Sequence, residues 1–522
     1  MVVEVLFPEP PMTTKYIKKI LEAKVYEVAI ETPLDAAPLL DDRLGNRIFL
    51  KREDLQPVFS FKLRGAYNKI AWLSPEERKN GIVTASAGNH AQGVALAAQH
   101  LGIPAIIVMP KTTPQIKVNA VRRRKAKAVL FGDSYDEACE HALALSKEQG
   151  LPFVHPFDDP EVIAGQGTIG MEIIRQHPGP IEAVFVPVGG GGLIAGVAAY
   201  IKYLRPETKI IGVEPEGSAV LYHSLKAGKR VTLDKVDIFA DGVAVKLMGE
   251  ETFRICKKCV DEVIRVNTDE MSAAIKDIFD ETRSIAEPSG ALAVAGIKKY
   301  VEATGARQEN LVGIISGANI NFSRLQHIAE RAELGEDREC LFALNLKEKP
   351  GALKAFCRVL GPRPITEFNY RFSDPSQAFV FIGLAVKGRE ERESTLAMLN
   401  GKGYRVKDLT GNELAKLHIR HMVGGLVKQD INEVVYRFEF PERMGALLDF
   451  LSHMADTWNI SLFHYRNDGA TYGQVLVGVQ VPKAERKAFQ RFVNEVGYPY
   501  TDETENPAYH LFLGDPDRTT CD

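Results

Sequence analysis

Between about residue 45 and residue 320 the chain alternates short, wholly apolar runs with longer stretches of helical periodicity. Ile82-Val83-Thr84-Ala85, Ala105 to Met109, Ala128 to Phe131, Ala183 to Val188, Ile210 to Val213 and Leu311 to Ile315 each read as a buried strand. A strand apolar at successive positions, not at alternate ones, has both faces covered. These runs therefore predict a parallel sheet layered between helices, among them Ala91 to His100 and Ala195 to Leu204. In such sheets ligands sit beyond the carboxyl ends of the strands. The glycine-rich and polar turns of this chain fall at those ends.

The pattern changes near residue 330. A charged stretch, Ala329 to Glu339, reads as a helix end and linker, and an internal repeat follows it. Gly351-Ala352-Leu353 returns as Gly445-Ala446-Leu447, 94 residues on, and Ile365 to Arg371 returns as Ile460 to Arg466, 95 residues on. Each copy runs strand, helix, strand, strand, helix, strand, the order of a ferredoxin-like α+β sandwich. The expected division is an α/β region over 1–330 with a smaller subdomain at roughly 55–155, a linker at 331–339, and two α+β copies at 340–424 and 433–514.

Composition narrows the class without naming it. The 522 residues are 45% hydrophobic and 25% charged, with a formal net charge of -3. That balance offers no attraction to nucleic acid or an anionic membrane. The basic run Arg122 to Lys125 has no interleaved aromatics and reads as a solvated helix face. No run of about 18 apolar residues occurs, and residues 1–15 lack the apolar core of a signal peptide, so a soluble cytoplasmic protein is expected. Six cysteines fit a reducing compartment. Cys256 and Cys259 have CxxC spacing but no second pair, so they read as structural and no metal site is expected.

Four segments carry chemistry. In Ser60-Phe61-Lys62-Leu63-Arg64-Gly65-Ala66 a lysine stands between apolar neighbours. A buried amine loses its charge more readily, and a neutral amine can condense with an aldehyde. A surface lysine opening an amphipathic helix fits the spacing equally. Gly189-Gly190-Gly191-Gly192-Leu193 follows a strand and opens a helix, an arrangement whose free amides and helix dipole suit a phosphate. Gly190-x-Gly192-x-x-Ala195, with Glu214 ending the next strand, also satisfies the dinucleotide fingerprint, so an NAD(P)-dependent oxidoreductase stays open. Ser86-Ala87-Gly88-Asn89-His90 lies between a strand and a helix, where it can hold a carboxylate or simply cap the helix. Ser316-Gly317-Ala318-Asn319 is a polar turn at the same edge, and its serine can bond a ring nitrogen or act as a cap.

Together these segments resemble the fold type II pyridoxal-phosphate enzymes, the tryptophan synthase β-like group, and within it the biosynthetic threonine dehydratase (threonine ammonia-lyase) family. Asp241-Gly242-Val243-Ala244-Val245 and Glu287-Pro288-Ser289-Gly290 carry the likeness too, and the duplicated tail resembles the family's paired ACT-like regulatory domains. The resemblance implies pyridoxal 5'-phosphate as cofactor, bound covalently by the catalytic Lys62. Phe61 would pack near its ring, Gly189, Gly190, Gly191, Gly192 and Leu193 would hold its phosphate, Asn89 its ring oxygen and Ser316 its ring nitrogen. Ser86, Ala87, Gly88, Asn89 and His90 would bind the substrate carboxylate. It implies deamination of L-threonine to 2-oxobutanoate, the committed step of isoleucine biosynthesis, inhibition by isoleucine and relief by valine, and a homotetramer. Tyr370, Arg371, Tyr465 and Arg466 stand at equivalent points of the two copies and are expected at the effector site. A tail that only assembles the oligomer is the competing expectation. Other fold type II enzymes acting on serine or threonine share the core. Glu287 has no assigned role.

Overall fold

The computed structural model describes residues 12–372, 377–425, 427, 431–441, 445–454, 457–466 and 472–513, so the outer ends of the expected 1–330 and 433–514 regions lie outside the described residues. It forms two compact units, 1–335 and 336–522. The linker expected at 331–339 is shorter than its charge suggests. The helix Leu325–Gly335 fills its first half and the strand Glu339–Lys347 starts at its end. One of its charges is spent on packing: buried Arg331 pairs with Asp269 at 2.7 Å.

The first unit contains two sheets. The larger orders its strands Leu34–Ala36, Arg47–Arg52, Asn310–Ile315, Ala183–Pro187, Lys209–Pro215 and Glu262–Val266. All neighbours are parallel except the first pair. The smaller sheet is parallel throughout, Ile82–Ala85, Ala105–Met109 and Lys127–Leu130. Ala183–Pro187, apolar at every position, is buried at every position. The run Ala128 to Phe131, expected as a buried strand, is instead half-buried or exposed, because Lys127–Leu130 is an edge strand of the smaller sheet. Arg47–Arg52 escaped the apolar pattern because Lys51 and Arg52 are buried as ion pairs, and Glu262–Val266 because an edge strand can expose Glu262 and Arg265.

The second unit contains two copies of the expected order. The first copy comprises Glu339–Lys347, Ala352–Leu360, Ile365–Arg371, Gln377–Ala385, Arg389–Gly401 and Arg405–Asp408. The second comprises Glu433–Pro441, Ala446–His453, Asn459–Arg466, Tyr472–Gln480, Arg486–Val496 and Tyr500–Asp502. Ile365–Arg371 pairs antiparallel with its own counterpart Asn459–Arg466, joining both copies in one eight-stranded sheet. Asn369 lies opposite His464, its equivalent at the 95-residue offset, so the pairing has internal two-fold symmetry. Both strands bulge at the same place, Thr366 and Ser461. Each bulged hydroxyl bonds an equivalent glutamate, Thr366 to Glu339 and Ser461 to Glu433. The duplication therefore extends to buried polar contacts.

In the first unit the helix Lys62–Trp72 is held between Asn89–Leu101 and Pro160–Gln176 by backbone approach. A Cβ on Gly65 would lie 2.7 Å from the Val162 carbonyl, and one on Gly165 would lie 2.7 Å from that of Arg64. On the other side a Cβ on Gly93 would meet the Leu63 Cα at 3.0 Å. Two residues beyond Lys62, the fully buried guanidinium of Arg64 spans Glu53 at 2.8 Å and Glu172 at 2.6 Å. Lys51 completes the group, 2.7 Å from Glu172, so two cations balance two carboxylates. Removing one cation leaves a buried carboxylate uncompensated. Arg64→Met is thus expected to lower the stability of the first unit by about 3–5 kcal/mol, read as a fall in its unfolding transition in urea. A midpoint within error of the parent would contradict the arrangement.

Candidate active site

Lys62 begins its helix because the preceding residues are laced to the Ser316 turn. Phe61 N–H donates to the Ser316 carbonyl at 3.2 Å, Ala318 N–H to that of Phe59 at 2.9 Å, and Ser60 bridges Gly317. Phe59 takes a left-handed backbone, φ 54°, unusual for an aromatic residue and fixed by these bonds. Lys62 Nζ lies 3.3 Å from the Gly242 carbonyl. Burial pushes its ammonium pKa down, opposed by the charges of Glu287 and Asp241. A lowered pKa means more neutral amine at a given pH. More of this amine is thus available to act as nucleophile or base than of a surface lysine.

The bend Gly189 to Leu193 is a shaped cradle. Among the described residues, the amides of Gly189, Gly190, Gly191, Gly192 and Leu193 donate to no protein group. Gly191 has φ 94°. A Cβ on Gly190 would lie 2.2 Å from the Phe157 ring, and one on Gly189 would lie 2.9 Å from the Val243 Cα. Glycine is required by both the turn and the packing. The Gly190 carbonyl faces the other way and accepts from Thr252 Oγ at 2.8 Å. Free amides at the start of the helix Gly192–Leu204 suit a phosphate, and Val243 beside Gly189 adjoins Gly242, which faces Lys62. These residues fit pyridoxal phosphate, with an amine for its aldehyde and a cradle for its anion.

The third element is the loop after Ile82–Ala85. Ser86, Ala87 and Gly88 are half-buried, and the Ser86 hydroxyl accepts from Gly88 N–H at 3.3 Å. Asn89 is buried, donates from Nδ2 to Glu287 at 2.6 Å and accepts at Oδ1 from Asn319 at 2.7 Å. Ser316 is buried, and its hydroxyl gives a 3.2 Å bond to the Ser289 carbonyl, which a rotatable group can exchange for a better acceptor. Phe61 joins the apolar cluster of Leu193 and Val186. His90 departs from its expected place on the substrate. Its Nε2 is taken by the Val154 carbonyl at 3.0 Å, and burial pushes its pKa down to about 3, so it is neutral and structural.

Sequence reasoning missed the roles of Gly242, Glu287, Ser289 and Asn319. They lie 180 or more residues from Lys62 or Asn89, and no local pattern announces the contact. The dinucleotide reading fails at Glu214. Its fully buried carboxylate caps the helix Val220–Ala227, accepting from Leu221 and Tyr222 N–H at 2.8 and 2.9 Å, and burial pushes its pKa up to about 8. It has no ribose to reach. Cys256 and Cys259 are buried free thiols, with the Cys256 pKa pushed up by burial, which makes them poor nucleophiles.

The second unit has a cleft between its copies, walled by Leu346, Lys347, Glu348 and Tyr370 of the first and Leu451 and Trp458 of the second. Tyr370 OH donates to Glu348, which also accepts from Asn459 Nδ2 at 2.6 Å. The four expected effector residues are not brought together there. Successive strand residues face opposite ways. Arg371 accordingly forms a buried pair with Glu433, at 2.5 Å, away from the Tyr370 wall. Tyr465 packs against the core of the unit. Arg466 lies opposite Glu367 in the strand register, and its side chain is outside the described residues.

Residues 25–317 match the family described as pyridoxal-phosphate dependent enzyme. Residues 330–419 and 423–513 each match the C-terminal regulatory domain of threonine dehydratase. The chain is 57% identical over 501 residues to the biosynthetic L-threonine dehydratase IlvA of Burkholderia multivorans, covering 95% of this chain and 99% of that one. Among solved structures, the processed form of threonine deaminase isoform 2 from Solanum lycopersicum is 57% identical, with TM-score 0.61, over 62% of this chain and 88% of that one. Maize serine racemase is 33% identical, with TM-score 0.57, over 61% of this chain and 98% of that one. The chain belongs to the threonine dehydratase family, pyridoxal-phosphate-dependent enzymes that carry a C-terminal regulatory domain.

Proposed function

We propose that this protein converts L-threonine to 2-oxobutanoate and ammonia, the committed step of isoleucine synthesis, as a cytoplasmic homotetramer. The reading rests on one observation: Lys62 contacts Gly242, whose neighbour Val243 packs on Gly189 of the glycine bend, and Glu287, whose charge acts on Lys62, bonds Asn89. When bound, pyridoxal phosphate supplies a conjugated electron sink at the substrate's Cα. Lys62 would hold its aldehyde, the glycine amides its phosphate, Asn89 its ring oxygen and Ser316 its ring nitrogen.

The remaining chemistry belongs to the chain. The Ser86–Asn89 loop, at the start of the helix Asn89–Leu101, receives the substrate carboxylate on its amides. Burial lowers the Lys62 pKa and so raises the share of neutral amine, whose lone pair can take the Cα proton. Ser316 would offer the ring nitrogen a hydroxyl and not a carboxylate, so the chain would supply no acid partner to protonate it. The β-hydroxyl departs as water, its added proton balancing the one that Lys62 took from Cα. The freed enamine takes up one water and releases 2-oxobutanoate and ammonia. The likeness to serine racemase fits racemisation by the same core, but the duplicated regulatory tail favours the dehydratase.

Isoleucine binding in the Tyr370 cleft, with inhibition, and relief by valine complete the reading. The cleft's aliphatic wall suits a branched side chain, and Glu348 with Lys347 offers one charge for each end of an amino acid. A coupling of about 1–3 kcal/mol between cleft and active site is enough for control. The purified enzyme is expected to form 2-oxobutanoate from threonine faster than pyruvate from serine, and Lys62→Ala is expected to form neither. Faster serine turnover would refute the substrate assignment. Tyr370→Ala is expected to raise the isoleucine concentration for half-inhibition about tenfold or more, with uninhibited turnover unchanged. An unaltered isoleucine response would remove that cleft from regulation.

A further inference from the structure

Glu287 is buried at the centre of the site, yet no step above uses it. Its Oε1 accepts from Asn89 Nδ2 at 2.6 Å and from Ser289 Oγ at 3.2 Å. One neighbour, Gly317, leaves room for it, and another, Gly242, leaves room for its partner Ser289. A Cβ on Gly317 would lie 2.7 Å from Glu287 Oε1, and one on Gly242 would lie 2.4 Å from Ser289 Oγ and 3.5 Å from Glu287 Oε1. Its backbone N–H is tied to the Gly317 carbonyl at 3.1 Å, one residue past Ser316. Asn89 and Ser289 thus hold the carboxylate, on a backbone that is itself tied to the Ser316 turn.

The consequence falls on Asn89. An asparagine amide can point its oxygen or its nitrogen at a ligand, and the choice is set by its partners. Here both partners demand the same orientation. Asn319 Nδ2 gives one hydrogen to the Val58 carbonyl at 2.8 Å and the other to Asn89 Oδ1 at 2.7 Å. Asn89 Nδ2 must then give one hydrogen to Glu287, and one N–H is left over. A flipped amide would set oxygen against the Glu287 oxygen and nitrogen against the Asn319 nitrogen. We propose that Glu287 is a positioning residue, acting through Asn89 to keep an N–H, and not the carbonyl, available to the ring oxygen of the cofactor. This rests on the reading of Asn89 given above.

The charges around Glu287 do not undo the lock. Burial and Asp241 push its pKa up, while Asn89, Lys62 and Lys117 pull it down. Oε1 already receives two donors, so it acts as an acceptor whether or not the other oxygen carries a proton.

The test is a double-mutant cycle on the holoenzyme with Glu287→Gln, Asn89→Ala and the pair together. Glutamine keeps the volume but replaces one carboxylate oxygen with a donor, so Asn89 keeps only the Asn319 contact to specify its orientation. The readouts are the visible absorbance band of the lysine-bound cofactor, kcat and KM. Each single variant is expected to change the band in the same direction and to lower kcat roughly tenfold or more, with KM for threonine held within about twofold. The double variant is expected to match Asn89→Ala within about twofold, because both act on one hydrogen bond. Multiplying effects, or a parental band in Glu287→Gln, would overturn the proposal. A parental band in Asn89→Ala would instead remove Asn89 from the cofactor, and the proposal with it. Should Glu287→Gln not fold, Glu287→Asp goes through the same cycle. Its shorter carboxylate withdraws from Nδ2, so non-additivity is again expected, and multiplying effects would again overturn the proposal.

Discussion

The site depends on how closely the helix Lys62–Trp72 is pressed between two others. Glycines at 65, 93 and 165 bring backbone against backbone, and side chains larger than hydrogen would push the lysine out of place. The buried group of Arg64, Lys51, Glu53 and Glu172 fixes the same helix. Burying four charges is costly, and it is tolerable here because the charges cancel and each is hydrogen-bonded. Such a group tolerates few alternative geometries. An apolar layer would pack as well but would allow the helix to slide, and a slide of one ångström at Lys62 would spoil the chemistry.

Around this fixed lysine the site is assembled from turns at the carboxyl ends of strands in two sheets. The bend after Ala183–Pro187, the turn after Asn310–Ile315 and the loop after Ile82–Ala85 each supply one kind of contact. Gly242, Val243 and Glu287 join them, the first two by backbone approach and the third by its carboxylate. The regulatory unit is built on a different principle. One α+β element was duplicated and paired with itself edge to edge, with Asn369 opposite its own equivalent His464.

Much of this was legible in the sequence, and the legible parts are local ones. Gly189 to Leu193 could be read because the turn, the free amides and the helix start lie within five residues. The repeat could be read because its two copies kept their order of elements. What escaped depends on distance along the chain or on burial of charge. Nothing near Glu287 or Asn319 signals that they meet Asn89 across some 200 residues. Arg47–Arg52 did not look like a strand because its two last residues are cations, and only their buried partners make it one. Glu214 stood where a ribose-binding acid would stand, but the helix it caps cannot be inferred from its strand. Arg371 was grouped with Tyr370 because both recur in the second copy, as Arg466 and Tyr465. The alternation of a strand puts them on opposite faces, and Glu433 claims the arginine.

Everything turns on which amine carries the cofactor. Reduction of the purified holoenzyme with borohydride makes that bond permanent, and peptide mapping by mass then locates it. The account predicts the added pyridoxyl phosphate on the peptide containing Lys62 and on no other. Label on a different lysine, or none on any, would contradict it.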